Sequence, residues 1–192
     1  MNEPFAGDVW KDPLLWDPAY AGKHNLQPAF DVVAAAIREV DQETTIMYEP
    51  VTWGMIFDTS KHWYSLGSGF EHAPGGANRS AFSYHYYCWP GRSKNGTAPY
   101  PITKKALCHD GLGPLTFSSV QETIGELGGA SFLTEWGGVY FTPPFGAPRD
   151  STYVQETLWV MDEADSQFQS WTHWDIDYFL DPSMKDTGEF LG

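Results

Sequence analysis

The apolar and polar positions along the chain follow two periods in turn, one typical of helices and one typical of strands. From Phe30 to Val40 the apolar residues recur at helical spacing on one face. Similar patterns predict two further helices. One spans 117–127, with Ser118 or Ser119 as a candidate N-terminal cap and Gly128 as its stop, and the other spans 151–169. We predict strands over 44–48, 80–88, 131–135 and 170–176, and loops over 5–29, 51–79 and 90–115. Helices alternating with strands predict an α/β fold around a parallel sheet.

One of the predicted strands ends in a glutamate, and the residues on either side of it indicate where the strand stops. Phe132-Leu133-Thr134 is typical of a buried strand, and Gly137-Gly138 breaks the element, so Glu135 is predicted to lie at the strand's C-terminal tip. In a parallel barrel that tip belongs to the face that carries catalytic groups. The alternative is a strand-end glutamate that only faces water. A second punctuated acid, in Asn2-Glu3-Pro4, favours catalysis, because glycoside hydrolysis uses two carboxyl groups.

The composition limits the classes of protein to consider. The chain has 192 residues, of which 42% are hydrophobic and 16% aromatic, so it can form a real core. Its net charge of −14 argues against nucleic acid as a partner and against an electrostatic membrane anchor. No apolar run approaches the ~20 residues of a membrane-spanning helix, so we expect no transmembrane segment. Nine Trp residues suit a groove that stacks on sugar rings, although most aromatic residues belong to a core.

Two cysteines and two glycosylation sequons bear on the compartment. Cys88 and Cys108 lie in a stretch rich in Gly and Pro, and as a disulfide they would close a loop worth roughly 3 kcal/mol. Acceptor sequons for N-glycosylation begin at Asn78 and Asn95. Together these features favour a secreted, lysosomal or extracellular protein. The alternative is a pair of free buried thiols and two unused sequons.

Five short motifs follow one another in a fixed order along the chain: Asn2-Glu3-Pro4, Glu49-Pro50, Tyr84-His85-Tyr86-Tyr87, Thr134-Glu135-Trp136-Gly137 and Trp171-Thr172-His173-Trp174. Together they resemble glycoside hydrolase family 5, in which an Asn-Glu pair ends strand four, His-x-Tyr ends strand six, a second Glu ends strand seven and a Trp lies at strand eight. The wider stretch Asn2-Glu3-Pro4-Phe5-Ala6-Gly7-Asp8 is most similar to the endoglycoceramidases and related glycosylceramidases.

The resemblance implies a (β/α)₈ TIM barrel. It places strands five to eight in this chain, because Asn2-Glu3 matches the end of strand four. We therefore interpret residues 1–192 as the C-terminal portion of a glycoside hydrolase catalytic domain, with strands one to four missing.

The resemblance also implies a role for each site residue. Glu135 would be the nucleophile, and Glu3 the general acid/base with a raised pKa, in a retaining double displacement between carboxyl groups about 5–5.5 Å apart. Tyr87 would donate a hydrogen bond to Glu135, and His85 would lie beside Glu3. Asn2 would bind the sugar's 2-hydroxyl, and Trp174 or Trp171 would form the floor under that sugar. Glu49 would have a structural or supporting role.

We expect no metal and no cofactor, since the acidic run of Asp175, Asp177 and Asp181 lacks the glycine and terminal glutamate of a calcium loop. The favoured partner is a carbohydrate or glycolipid substrate, cut between oligosaccharide and ceramide, and we expect the full-length enzyme to be a monomer. The first alternative is a plain β-glucan or another β-glucoside as substrate. The second is an inactive fragment that binds sugar or has no function.

Overall fold

The computed structural model describes residues 4–51, 68–88, 106–137, 139–140, 151–173 and 190–191. Its strands are β1 (Ile46–Tyr48), β2 (Ser80–Tyr86), β3 (Ala130–Trp136), β4 (Val139–Tyr140), β5 (Ser170–His173) and β6 (Phe190–Leu191). Four of them form one sheet in the order β1-β2-β3-β5, while β4 pairs with β6 in antiparallel orientation. The parallel sheet confirms the predicted α/β arrangement, and β1 pairs with β2 so that Ile46 lies opposite Ser80.

The described helices are α1 (Pro18–Ala21), α2 (Gln27–Val40), α3 (Gly113–Leu127) and α4 (Ser151–Ser166). Shorter helical turns lie at Pro13–Trp16, Gly22–Leu26, Ala77–Arg79 and Cys108–Leu112. The predicted loops over 5–29, 51–79 and 90–115 are therefore partly wrong, because each contains helical residues in its described part.

Two Asp-Pro pairs explain the helical turns before α2. The Asp17 carboxylate accepts hydrogen bonds from the backbone N–H groups of Ala19 and Tyr20, at 2.9 and 3.3 Å. Pro18 follows at the first helical position, where its missing N–H costs nothing. Asp12 caps the turn at Pro13–Trp16 in the same way. An aspartate followed by proline was thus a helix-start signal within the predicted loop.

The apolar face of α2 is narrower than its sequence pattern predicts. Phe30 and Ala34 are buried and Ile37 is half-buried, as predicted. Val33 and Val40 are exposed, because at 100° per residue they fall at one edge of the apolar stripe. The helix ends at Asp41, whose carboxylate accepts from the backbone N–H groups of Glu43 and Thr44.

Helix α3 begins earlier than predicted and ends where predicted. Ser118 and Ser119 were candidate caps, but both lie inside the helix, and the Ser118 hydroxyl donates back to the Leu115 carbonyl. The turn at Cys108–Leu112 leads directly into Gly113, so the chain needs no side-chain cap there. At the other end Gly128 has a φ of 77° and donates its N–H to the Ile124 carbonyl at 2.8 Å. That left-handed conformation suits glycine and stops the helix.

The described residues group into two compact units. The first comprises residues 1–85 with 115–132. Its core contains an aromatic cluster in which Tyr48 contacts Phe70 and Phe82, with ring centroids 5.1 and 5.5 Å apart. Phe30 adds a third ring beside Tyr48. Burial in this cluster raises the pKa of Tyr48 above its ordinary value.

The second unit comprises residues 86–114 with 133–192. It contains the end of β3, strand β5 and helix α4. Cys88 and Cys108 form a disulfide here, which confirms the predicted pairing. The Tyr86 ring packs on Trp159 of α4 with centroids 6.0 Å apart.

Candidate active site

Glu135 lies near the C-terminal end of β3, one residue before the strand ends at Trp136. Leu133 and Trp136 are fully buried in this strand, and Glu135 between them is half-buried. Side chains alternate across a strand, so Leu133 and Glu135 share a side that Trp136 does not. A half-buried carboxylate at the C-terminal end of a strand is accessible to a ligand while protein holds its stem.

Tyr87 fixes one oxygen of that carboxylate. Its hydroxyl donates a hydrogen bond to Glu135 Oε2 over 3.1 Å, and the contact is partly buried. The predicted hydrogen bond between these two residues is therefore confirmed. A phenol that donates to one carboxylate oxygen orients the whole carboxylate group.

His85 and Glu49 form a buried pair in the first unit. His85 Nε2 lies 3.6 Å from Glu49 Oε1, and the two side chains are 0% and 3% exposed. The Ser83 hydroxyl donates to the other Glu49 oxygen at 3.3 Å. Burying a carboxylate is costly unless neighbouring groups compensate for it, and here the Ser83 hydroxyl donates to one oxygen while the His85 ring lies close to the other.

The position of Glu49 agrees with the structural or supporting role that the sequence analysis expected. Its neighbour is His85, two residues before Tyr87 in the chain. The signal available in the sequence was Glu49-Pro50 directly after a β-branched and aromatic run, which marks a strand-end acid.

Trp171 packs on the side of its strand that faces α4. Its indole N–H donates to Asp165 Oδ1 over 3.1 Å, and its ring meets Trp136 edge-to-face with centroids 5.5 Å apart. His173 lies two positions on and also contacts Trp136, at 4.6 Å. Sequence reasoning missed the contact between His173 and Trp136, although both residues lie in the quoted motifs.

Several predicted site residues lie outside the described part of the chain. They are Asn2, Glu3, Asn95 and Trp174, together with the acidic run of Asp175, Asp177 and Asp181. The other predicted glycosylation site, Asn78, is exposed in the turn at Ala77–Arg79. Within the described ranges, no three side chains of the metal-binding types come together. None of the helices in those ranges is long and apolar enough to cross a membrane.

The chain thus has a sheet with a hydrogen-bonded glutamate at the end of one strand, and its likeness to known proteins can now be considered. Residues 1–179 match the family model of Cellulase, glycosyl hydrolase family 5. The chain belongs to this family, and the four-stranded sheet with its helices is part of a (β/α)₈ barrel.

Its relatives include two endoglycoceramidases. The chain is 34% identical to endoglycoceramidase of Cyanea nozakii over 177 residues, which cover 91% of this chain and 28% of that protein. It is 45% identical to endoglycoceramidase of Hydra vulgaris over 97 residues, which cover 49% of this chain and 17% of that protein. The chain thus spans less than a third of the length of these curated relatives.

Solved structures share the fold. Endo-glycoceramidase II from Rhodococcus sp., in complex with ganglioside GM3, superimposes with a TM-score of 0.64 at 20% identity, covering 91% of this chain and 34% of that one. XacCel5A in complex with cellopentaose gives a TM-score of 0.52 at 18% identity, covering 83% of this chain and 47% of that one.

Proposed function

We propose that this chain is the C-terminal portion of the catalytic domain of a retaining β-glycosidase, with residues 1–192 carrying strands five to eight of the barrel. The observation that carries the proposal is the hydrogen bond from Tyr87 to Glu135 at the end of β3. It orients a carboxylate at the strand end where a barrel glycosidase needs its nucleophile.

The chemistry assigned to Glu135 follows from that hydrogen bond. With Oε2 held by Tyr87, Glu135 Oε1 attacks the anomeric carbon, and the bond from that carbon to the leaving oxygen breaks. Glu3 donates the proton that the leaving oxygen takes up. Glu3 then removes a proton from water, whose oxygen attacks the same carbon and releases Glu135. Two displacements return the original anomeric configuration.

The remaining predicted residues bind the sugar. Asn2 holds the 2-hydroxyl, and His85 lies beside the acid/base, with Glu49 Oε1 3.6 Å from its ring nitrogen Nε2. For the floor of the sugar site we favour Trp174 over Trp171. The indole of Trp171 already donates to Asp165 and packs on Trp136, so it is less available to stack on a sugar.

We propose a glycosphingolipid as the substrate, cut between its oligosaccharide and ceramide. The support is the likeness to two proteins named endoglycoceramidase, together with the likeness in fold to an endoglycoceramidase bound to ganglioside GM3. The alternative substrate is a β-glucan or β-glucoside, favoured by the family description as cellulase and by the likeness to a cellopentaose-bound enzyme.

We further propose that the enzyme is a secreted or lysosomal monomer. The Cys88–Cys108 disulfide supports an oxidising compartment, and exposure of Asn78 supports glycosylation there. Mapping of glycopeptides from protein made in a secretory host tests the second point at Asn78 and Asn95.

The substrate and the mechanism can be tested together in an active enzyme that contains this chain. Lactosylceramide and a cello-oligosaccharide are compared as substrates, and proton NMR records which anomer appears first. We expect release of intact lactose from ceramide and initial formation of the β-anomer. An initial α-anomer contradicts the retaining mechanism, and faster cleavage of the cello-oligosaccharide favours the alternative substrate. Binding of either sugar to the 192-residue chain alone, without cleavage, supports the alternative of an inactive sugar-binding fragment.

A further inference from the structure

Cys108 is linked to both residues that flank Tyr87 in the chain, Tyr86 and Cys88. It forms the disulfide with Cys88, and its backbone carbonyl accepts a hydrogen bond from the Tyr86 hydroxyl at 3.2 Å. Tyr86, Cys88 and Cys108 are all buried, whereas Tyr87 is only half-buried. Tyr86 and Cys88 therefore point to one side of the chain, and Tyr87 points away from them toward Glu135.

Cys108 is itself held in place by its own neighbours. The ring of His109 stacks on the indole of Trp159 with centroids 4.9 Å apart and planes 8° from parallel. The same indole packs on Tyr86, so Trp159 contacts both Tyr86 and the neighbour of Cys108 in the chain, His109. Gly113 leaves the space for it, since a Cβ there would lie 2.0 Å from Trp159 Cη2. The segment around Cys108 is thus packed against Trp159 of α4.

We propose that the Cys88–Cys108 disulfide is a positioning element, which with Tyr86 holds the Tyr87 hydroxyl at hydrogen-bond distance from Glu135. Its consequence for catalysis rests on the function proposed above. A dithiol such as dithiothreitol opens the disulfide to two thiols and is itself oxidised to a cyclic disulfide. The segment then keeps the Tyr86 hydrogen bond and the packing of Tyr86 on Trp159 but loses its covalent link to Cys108, so Tyr87 occupies its bonded position for a smaller share of the time.

The position of Tyr87 can be measured through Glu135 without any enzymatic assay. The full 192-residue chain is labelled with ¹³C at the glutamate δ-carbons, and the Glu135 signal is assigned by its loss in Glu135→Gln. We expect Tyr87→Phe to shift this signal, since the hydrogen bond is lost. Opening the disulfide, by dithiothreitol or by Cys88→Ala with Cys108→Ala, should shift it in the same direction. In the Tyr87→Phe background the same treatments should cause no additional shift.

Two further variants separate positioning from general loosening. Tyr86→Phe keeps the ring but removes the bond to Cys108, so it should shift the Glu135 signal in the same direction by less. Phe30→Leu weakens the core of the other unit and should leave the signal in place. The proposal is overturned if opening the disulfide leaves the Glu135 signal unchanged, or if it causes the same shift with and without the Tyr87 hydroxyl.

Kinetics give the catalytic consequence. In the active enzyme that contains this chain, opening the disulfide should lower kcat by ~10-fold with little change in KM, since misplacement of a catalytic group slows the chemical step. In the Tyr87→Phe background it should cost nothing more, and an equal loss in both backgrounds would contradict the proposal. If Glu135 proves not to be the nucleophile, the NMR comparison still decides whether the disulfide positions Tyr87.

Discussion

At the scale of single residues, the proposed chemistry depends on the pair of Glu135 and Tyr87. The phenol of Tyr87 donates to one oxygen of the Glu135 carboxylate over 3.1 Å and so orients the group. A nucleophile needs that geometry, whereas a general acid needs a proton and a leaving group within reach. Variants of the two glutamates should therefore differ in the products they form as well as in their rates.

Azide distinguishes the two glutamates in the active enzyme that contains this chain. Glu135→Gly should lose turnover, and azide should restore it and give a glycosyl azide of inverted configuration, because the small anion occupies the vacated side. Glu3→Ala should lose ~10²–10⁴-fold with poor leaving groups but little in the first step with good ones. Azide should then give the retained product, by attack on the glycosyl-enzyme. The opposite stereochemistry in each variant would mean that the two roles are exchanged.

Asp41 gives a residue-scale prediction about pH. Its pKa is lowered to about 2, mainly by a side-chain hydrogen bond from Thr44 and also by the backbone N–H groups of Thr44 and Glu43. A carboxyl group of the unfolded chain titrates near ~3.9, so this stabilisation is complete above that pH and is lost as the pH falls toward 2.

Asp41→Asn resembles the protonated side chain and tests this expectation. The melting temperature of the variant should be below that of the unsubstituted chain at pH 6, and the two should converge as the pH approaches 2. Glu39→Gln removes an exposed carboxylate from the same helix and is the control. A difference that stays constant from pH 6 to 2 would show that the charge of Asp41 is not the cause.

At the scale of elements, the connection from α3 to β3 depends on glycine. Gly129 has a φ of 94°, and a Cβ at this position would lie 2.7 Å from the backbone oxygen of Ser80. Gly129→Ala should therefore lower the free energy of unfolding by ~1–3 kcal/mol, through backbone strain and the close contact.

Gly125 provides a matched control within α3. A Cβ there meets no atom within 4 Å, so Gly125→Ala should raise the free energy of unfolding by roughly 0.5–1 kcal/mol. Urea unfolding of the two variants checks both signs. Equal effects at the two positions would mean that the backbone of Gly129 is not constrained as described.

The elements also show which parts of the fold could be predicted from sequence. Strands with strong apolar or aromatic runs, such as β2 and β3, were placed to within two residues, because burial and β-branched or aromatic side chains agree there. The helical turns before α2 were missed, because their signal is Asp-Pro capping rather than apolar periodicity. The start of α3 was missed because a preceding helical turn replaces a side-chain cap.

In the candidate site, too, some contacts could be predicted from the sequence and others could not. Glu135 and Tyr87 could be paired from the sequence because the family resemblance fixes both at neighbouring strand ends. The engagement of Trp171 by Asp165 could not, because it depends on the packing of α4 against β5. Nor could the bond from Tyr86 to Cys108, since a backbone acceptor has no sequence signature.

At the scale of the whole molecule, the chain covers 28% of the Cyanea endoglycoceramidase and 34% of the Rhodococcus structure. We predict that the purified 192-residue chain hydrolyses no aryl β-glucoside at a useful rate. The described sheet has four strands, whereas the sugar pocket of a (β/α)₈ barrel is built from the loops of eight. Robust turnover by this chain, lost again in Glu135→Gln, would contradict the prediction.

The most direct test of the account concerns the nucleophile. An active enzyme that contains this chain is treated with a 2-deoxy-2-fluoroglycosyl fluoride, which forms the glycosyl-enzyme but slows its hydrolysis. Peptide mass spectrometry then locates the label. We predict one fluoroglycosyl group on the peptide that contains Glu135, and no label in Glu135→Gln. A label on another carboxylate, such as Glu49, or an enzyme that turns over substrate and is never labelled, would contradict the account.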